Sequence, residues 1–200
     1  KDESISPNED TTSTTDGPSG LPIEWIPAMY KEFDSQGDYG NYDLADRPHD
    51  LDIRYIVIHN TETSFQDALD LFQTPTYSSA NYVVSSVEGT VAETVRPQNV
   101  AWHAGNWYIN SHSIGIEHEG YAAVGGYWYT ENMYKSSAAL VKYLAAKYNI
   151  PLDREHIFGH DNVPGLNPAA VKTMHWDPGT YWNWEHYFNL LGANLKQAST

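Results

Sequence analysis

Residues 53–60 read "IRYIVIHN", a short β-branched apolar run. A run of this kind, without polar alternation, reads as a buried central strand of a sheet. His59 stands at its C-terminal end, and in an open α/β sheet the carboxyl ends of strands bring side chains to a shared edge. Directly downstream, "TSFQDALDLFQ" places Phe65, Leu69 and Phe72 at helical spacing, with Ser64 and Asp67 in a capping-box arrangement. Strand followed by helix sets the expectation of an α/β domain.

The same reading extends outward. "ANYVVSSVEGTVAETV" reads as two strands joined at Glu88-Gly89, and "SIGIEHEG" (113–120) as another strand. Side chains alternate along a strand, so Ile114, Ile116 and His118 share one face and Glu117 and Glu119 the other. In "ENMYKSSAALVKYLAAKYN" (131–149), Met133, Ser137, Leu140, Val141, Leu144 and Tyr148 form one helical stripe, which Pro151 ends. "HIFGH" (156–160) reads as a short strand and 183–196 as a closing helix. The sum is a single α/β domain, a central mixed β-sheet flanked by α-helices, without internal repeats.

Residues 1–20, rich in Ser, Thr, Asp and Pro, read as a flexible leader or linker. It either tethers an exported domain to a membrane or wall, or is a simple tail. Residues 21–50 carry scattered aromatics and turn formers, and are expected as an irregular N-terminal segment packed on the domain. The domain itself spans 51–196. The chain starts with Lys1 and not Met, which suggests a processed or trimmed product.

Eleven basic against 26 acidic residues give a formal net charge of −15. That excludes nucleic acid and anionic lipid as expected partners, since phosphate binding needs clustered Lys and Arg. No apolar run is long enough for a transmembrane segment. Cysteine is absent, so a zinc site in this chain must be built from His, Asp or Glu.

Among the nine histidines, His59 and His160 stand out, because both close an apolar strand. Asp177, just before Pro178-Gly179 in "FGHDNVPGLNPAAVKTMHWDPG" (158–179), follows a loop able to bring it beside His160. Three protein donors with a fourth position for water are a catalytic zinc pattern; two structural histidines and a capping aspartate are the other reading. Glu117, turned away from Ile114 and Ile116, is either a general base near such a metal or an exposed strand glutamate. "AWHAGNWYIN" (101–110) either lines a groove for sugar or peptide or serves as packing.

Taken together and in this order, "VIHNT", "AWHAGN", "SIGIEHEG" and "FGHD…HWDPG" resemble the type-2 N-acetylmuramoyl-L-alanine amidases, the family that includes the peptidoglycan recognition proteins and the phage lysozyme-type amidases. The resemblance covers roughly 51–190. It implies an α/β fold with a zinc site at the sheet edge, and hydrolysis of the amide between N-acetylmuramic acid and L-alanine in peptidoglycan or muropeptides. Matched motif by motif, it implies Zn2+ held by His59, His160 and Asp177, with Glu117 as catalytic carboxylate. His175, two residues before the third ligand, would stabilise the oxyanion, and Asp161 would be a structural turn residue. Asn60, Trp102 and His103 are the expected substrate-binding residues. Two departures stand out: "LNPAAVKTM" resembles an insertion, and Asn81 of "SANY" occupies a position where many relatives have histidine, which implies altered local hydrogen bonding.

The resemblance further implies a bacterial protein, secreted or held in the cell envelope, and a monomer is expected. The competing functions are a peptidoglycan-binding module without catalysis and a related amidase acting on soluble muropeptides. The presence of both Glu117 and Asp177 favours catalysis.

Overall fold

The computed structural model describes residues 14–32 and 40–195. The run at 53–60 forms strand β3 (Tyr55–Asn60), with β7 (Ser113–His118) on one side and β8 (Ile157–Gly159) on the other. With β1 (Ile23–Trp25), β4 (Tyr82–Val84) and β5 (Val91–Glu93) they make a six-stranded sheet ordered β1-β5-β4-β7-β3-β8. The β4–β5 hairpin is antiparallel and the other pairs are parallel, so the sheet is mixed. A separate two-stranded ribbon pairs β2 (Tyr42–Asp43) with β6 (Val100–Ala101).

Helices cover both faces. Ile56 and Ile58 of β3 and Ile114 and Ile116 of β7 point to the face packed by α3 (Glu131–Tyr148) and α5 (Trp184–Leu191). There they meet Met133, Leu140, Val141, Leu144, Tyr187 and Phe188. On the opposite face α1 (Phe65–Phe72) lays Ala68, Leu69 and Phe72 against Val83 and Ala92. Burying each such Leu, Ile or Phe side chain contributes roughly 1.5–3 kcal/mol, so this sandwich supplies most of the fold's stability. Strand alternation then fixes the chemistry: Val57 and His59 of β3, and Ser113, Gly115 and Glu117 of β7, belong to the α1 side.

Local signals set the helix bounds. Ser64 caps α1 by accepting from the Asp67 amide, and Thr130 caps α3 by accepting from the Met133 amide. α3 ends at Asn149, whose φ of 56° is left-handed, before Pro151 is reached. α5 ends earlier than the sequence pattern suggests, because Gly192 takes the same left-handed conformation at φ 76°.

The N-terminal readings need correction where the structure describes them. The leader expectation for residues 1–13 lies outside the described residues, but residues 14–20 are part of the domain. Asp16 accepts from Lys147 at 2.6 Å and from Tyr143 at 2.8 Å, and its amide donates to Glu93 at 2.9 Å. The 21–50 segment is not uniformly irregular either, since β1 extends the sheet and β2 pairs with β6. Within it Arg47 is buried and donates to the carbonyls of Pro97, Asn99, Asn110, Ser111 and Ser113. Burial lowers the Arg47 guanidinium to about 10, yet its five carbonyl acceptors tie the segment to the start of β7.

Candidate metal centre and active site

Parallel pairing sets His59 beside Glu117 in register, both at the carboxyl ends of their strands. β8 runs parallel on the other side of β3, and the chain turns into a 3-10 segment at His160 as it leaves the strand. A loop of seventeen positions later, Asp177 returns to the same edge: the Asn60 amide donates to its Oδ2 at 3.1 Å and the Asp161 amide to its carbonyl at 2.9 Å. Tyr129 Oη holds the next carbonyl, of Pro178, at 2.7 Å.

One donor atom from each of His59, His160 and Asp177 lies within 4.8 Å of the others, and all three residues are buried. His59 Nδ1 is 3.3 Å from Asp177 Oδ2, and His160 Nδ1 is 3.2 Å from Asp177 Oδ1. Glu117 Oε1 stands 4.0 Å from His59 Nδ1, and His175 Nδ1 3.6 Å from Asp177 Oδ1.

The hydrogen bonding fits a cation. His160 Nε2 faces the Ala104 carbonyl at 3.2 Å, and a carbonyl only accepts, so that nitrogen carries the proton and Nδ1 has a bare lone pair when the ring is neutral. His160 Nδ1 is a buried atom without a hydrogen-bond partner, and so is Glu117 Oε2. A lone pair aimed at a carboxylate repels it unless a positive charge lies between them. His-His-Asp with both imidazoles backed by other partners is a donor set suited to Zn2+.

Electrostatics agree. Burial pushes His59 down to about 4, against the raising influence of Asp177. Burial disfavours charge on Asp177, but the imidazoles of His160, His175 and His59 outweigh it and hold the carboxyl well below its usual range. Neutral imidazole beside ionised carboxylate is the ligand state a metal requires. Burial, then the nearby carboxylates of Asp177 and Glu62, raise Glu117 well above the ordinary value. His175, largely exposed, is raised by its contact with Asp177.

His59, Asn60, His103, Glu117, His160, His175 and Asp177 all line one cavity of about 160 Å³, with Leu71 and Phe72 of α1 as its apolar wall. Trp102 is not among its lining residues: its indole donates to Asp43 at 2.7 Å and stacks on Tyr77. His103 lines the cavity from beneath, 7% exposed, with both ring nitrogens engaged by protein groups. Asp161 is exposed, and its amide is what ties it to the Asp177 loop. Asn81 donates to the Val95 carbonyl and accepts from the Gly115 amide, locking β4 to β7.

Sequence reading overlooked Glu62, which lines this cavity and a second one of about 270 Å³ bounded by residues 172–177. Its backbone has φ 52°, and its carboxylate accepts from the Ala122 amide. The stretch "LNPAAVKTM" contains a short helix, α4 (Pro168–Val171), capped by Asn167, and leads into the wall of that second cavity.

A buried three-donor set with a carboxylate beside it, at the carboxyl edge of an α/β sheet, has the number and type of donors that suit a single metal ion. Residues 49–180 match the model of the Amidase_2 family, described as N-acetylmuramoyl-L-alanine amidase, and the chain belongs to that family. N-acetylmuramoyl-L-alanine amidase A of Achromobacter lyticus is 31% identical over 149 residues, covering 69% of this chain and 82% of that protein. The same fold occurs in a selenomethionine derivative of AmpD, with a TM-score of 0.61, 24% identity, and 84% of this chain and 94% of that chain covered. It occurs also in the endolysin amidase LysCS from Clostridium intestinale URNW, with a TM-score of 0.60, 18% identity, and 88% and 100% covered.

Proposed function

We propose that the chain is a zinc-dependent N-acetylmuramoyl-L-alanine amidase that cleaves the amide between N-acetylmuramic acid and L-alanine in peptidoglycan. The observation that carries this reading is the convergence of two imidazole nitrogens and a buried carboxylate beside Glu117, in a chain of this family. His59, His160 and Asp177 would hold the metal. When bound, the zinc ion supplies Lewis acidity, which polarises a carbonyl and favours ionisation of water.

The chain's own residues do the rest. Glu117, with one oxygen unpartnered, takes a proton from the attacking water and passes it to the departing alanine nitrogen. His175, at the rim, donates to the oxygen that gains charge during attack. Asn60 shapes the cavity wall, its backbone amide holding Asp177 and its side-chain oxygen accepting from the Glu62 amide. Trp102 would contact only substrate that extends beyond the cavity, whereas His103 serves from below.

This substrate lies outside the bacterial cytoplasm, so the reading carries an extracytoplasmic site of action, with the chain working as a monomer. No helix among the described residues is long and apolar enough to cross a membrane. Mass spectrometry of purified muropeptides after incubation tests the reading. Release of stem peptide with a free L-alanine amino terminus, stopped by a chelator and restored by zinc, is the expected result. Intact muropeptides in the presence of zinc would instead favour the binding module.

A further inference from the structure

We infer that His103 and Ser113 are positioning residues that fix the tautomer of His59, so that its Nδ1 presents a lone pair to the metal. The inference rests on the metal reading above and extends it from the ligands to what holds them. At one end of the hydrogen-bond chain behind His59 the direction is unambiguous. Ser113 Oγ lies 2.6 Å from the Ile109 carbonyl, which can only accept, so the hydroxyl proton goes there. The same oxygen lies 3.1 Å from His103 Nε2 and must therefore accept from it. His103 is thereby left with a lone pair on Nδ1, and that atom is 2.8 Å from His59 Nε2. His59 Nε2 must donate, and neutral His59 then has no proton on Nδ1, the atom facing Asp177 at 3.3 Å.

The surroundings are built for this chain of donors. Gly115 leaves room for it: a Cβ there would lie 2.5–2.8 Å from three atoms of the His103 ring. The Asn110 side chain accepts from the amides of His103 and Ala104, and Arg47 donates to the Ser113 carbonyl at 2.8 Å. His160, the other imidazole, needs no relay, because the Ala104 carbonyl fixes its tautomer directly. Without the Ser113 hydroxyl, His103 loses its reason to keep the proton on Nε2. With that proton on Nδ1, two donors would face each other and drive the His59 proton onto the metal-facing nitrogen.

The test is the zinc dissociation constant of the full chain, measured by competition with a chromophoric chelator for wild type, Ser113→Ala, His103→Leu and His103→Asn. Outer partners of a ligating histidine typically contribute about 10–100-fold in metal affinity, and Ser113→Ala and His103→Leu are expected to weaken zinc by that order. His103→Asn, whose Oδ1 can accept from His59 Nε2, is expected to recover most of the loss. Wild-type affinity in Ser113→Ala, or equal weakening in His103→Asn and His103→Leu, would overturn the inference, the second result marking His103 as packing alone. Should His103→Leu not fold, Ser113→Ala decides by itself. Failure of the wild type to take up zinc would overturn the metal reading as well, which separates the two failures.

Discussion

His59 and His118 lie on neighbouring strands, one register position apart, on opposite faces of the sheet. Both are buried, and burial pushes both down to about 4. Their difference is in where the nitrogens point. His118 Nδ1 donates to the His59 carbonyl at 2.9 Å, and Nε2 accepts from Ser137, whose oxygen is 2.7 Å from Tyr187 Oη. That network is closed, and it clamps β3 to α3 and α5. His59 spends one nitrogen on His103 and turns the other to Asp177 and Glu117. A depressed pKa therefore marks burial in both, while only His59 keeps a nitrogen turned to carboxylates instead of closed into a hydrogen-bond network.

The largest break in that comparison comes from the front face. Glu117→Gln keeps the shape of the site but removes the proposed base, and is expected to lower kcat/KM for muropeptide cleavage by about 10²–10⁴-fold with zinc content unchanged. Steady-state kinetics beside metal analysis checks it; loss of zinc together with activity would instead make Glu117 a ligand. On the back face, His118→Leu removes the acceptor of the Ser137 hydroxyl proton and the imidazole donor to the His59 carbonyl. The expected cost is on the order of 1–3 kcal/mol, read as a lower denaturant midpoint, with zinc stoichiometry retained. Equal damage to both properties would erase the distinction between the two histidines.

Acid sharpens their likeness. With a folded value near 4, against about 6.5 for an unfolded histidine, His118 is neutral in the native state while the unfolded chain binds a proton. Stability of the chelator-treated protein should therefore fall as pH drops from about 6.5 to about 4, by on the order of 1 kcal/mol per pH unit for each such histidine, and then level off. Denaturant titrations across that range check it, and a flat profile would place these imidazoles in water. The smallest effect concerns the surface. With a net charge of −15, adsorption to anionic cell walls should improve with moderate salt, raising wall hydrolysis within the few-fold range of screened encounter. A steady fall from low salt upward would contradict this.

Periodicity made β3, β7, α1 and α3 legible, because each buries a regular apolar face. His59 could be seen at a strand end, and Asp177 beside a turn. What joined them was pairing: the sequence does not say that β7 lies beside β3, and only that register puts Glu117 next to His59. Elements of two or three residues, β1 and β2, have no period to read. α2 (Trp107–His112) is announced only by its Asn106 cap, whose side chain accepts from the Ile109 amide. Arg47 and Asp16 resemble surface charges until the carbonyls and tyrosines they meet are known. The relay behind His59 needs Gly115 opposite His103, a contact between strand and loop that no local pattern encodes.

The front-face donors His59, His160 and Asp177 are proposed to bind one zinc ion. Metal analysis of the purified protein, equilibrated with zinc and desalted, tests this most directly, run beside Asp177→Ala. One zinc per chain in the wild type and none in the variant is the predicted result. Equal zinc in both, or none in the wild type, would contradict it.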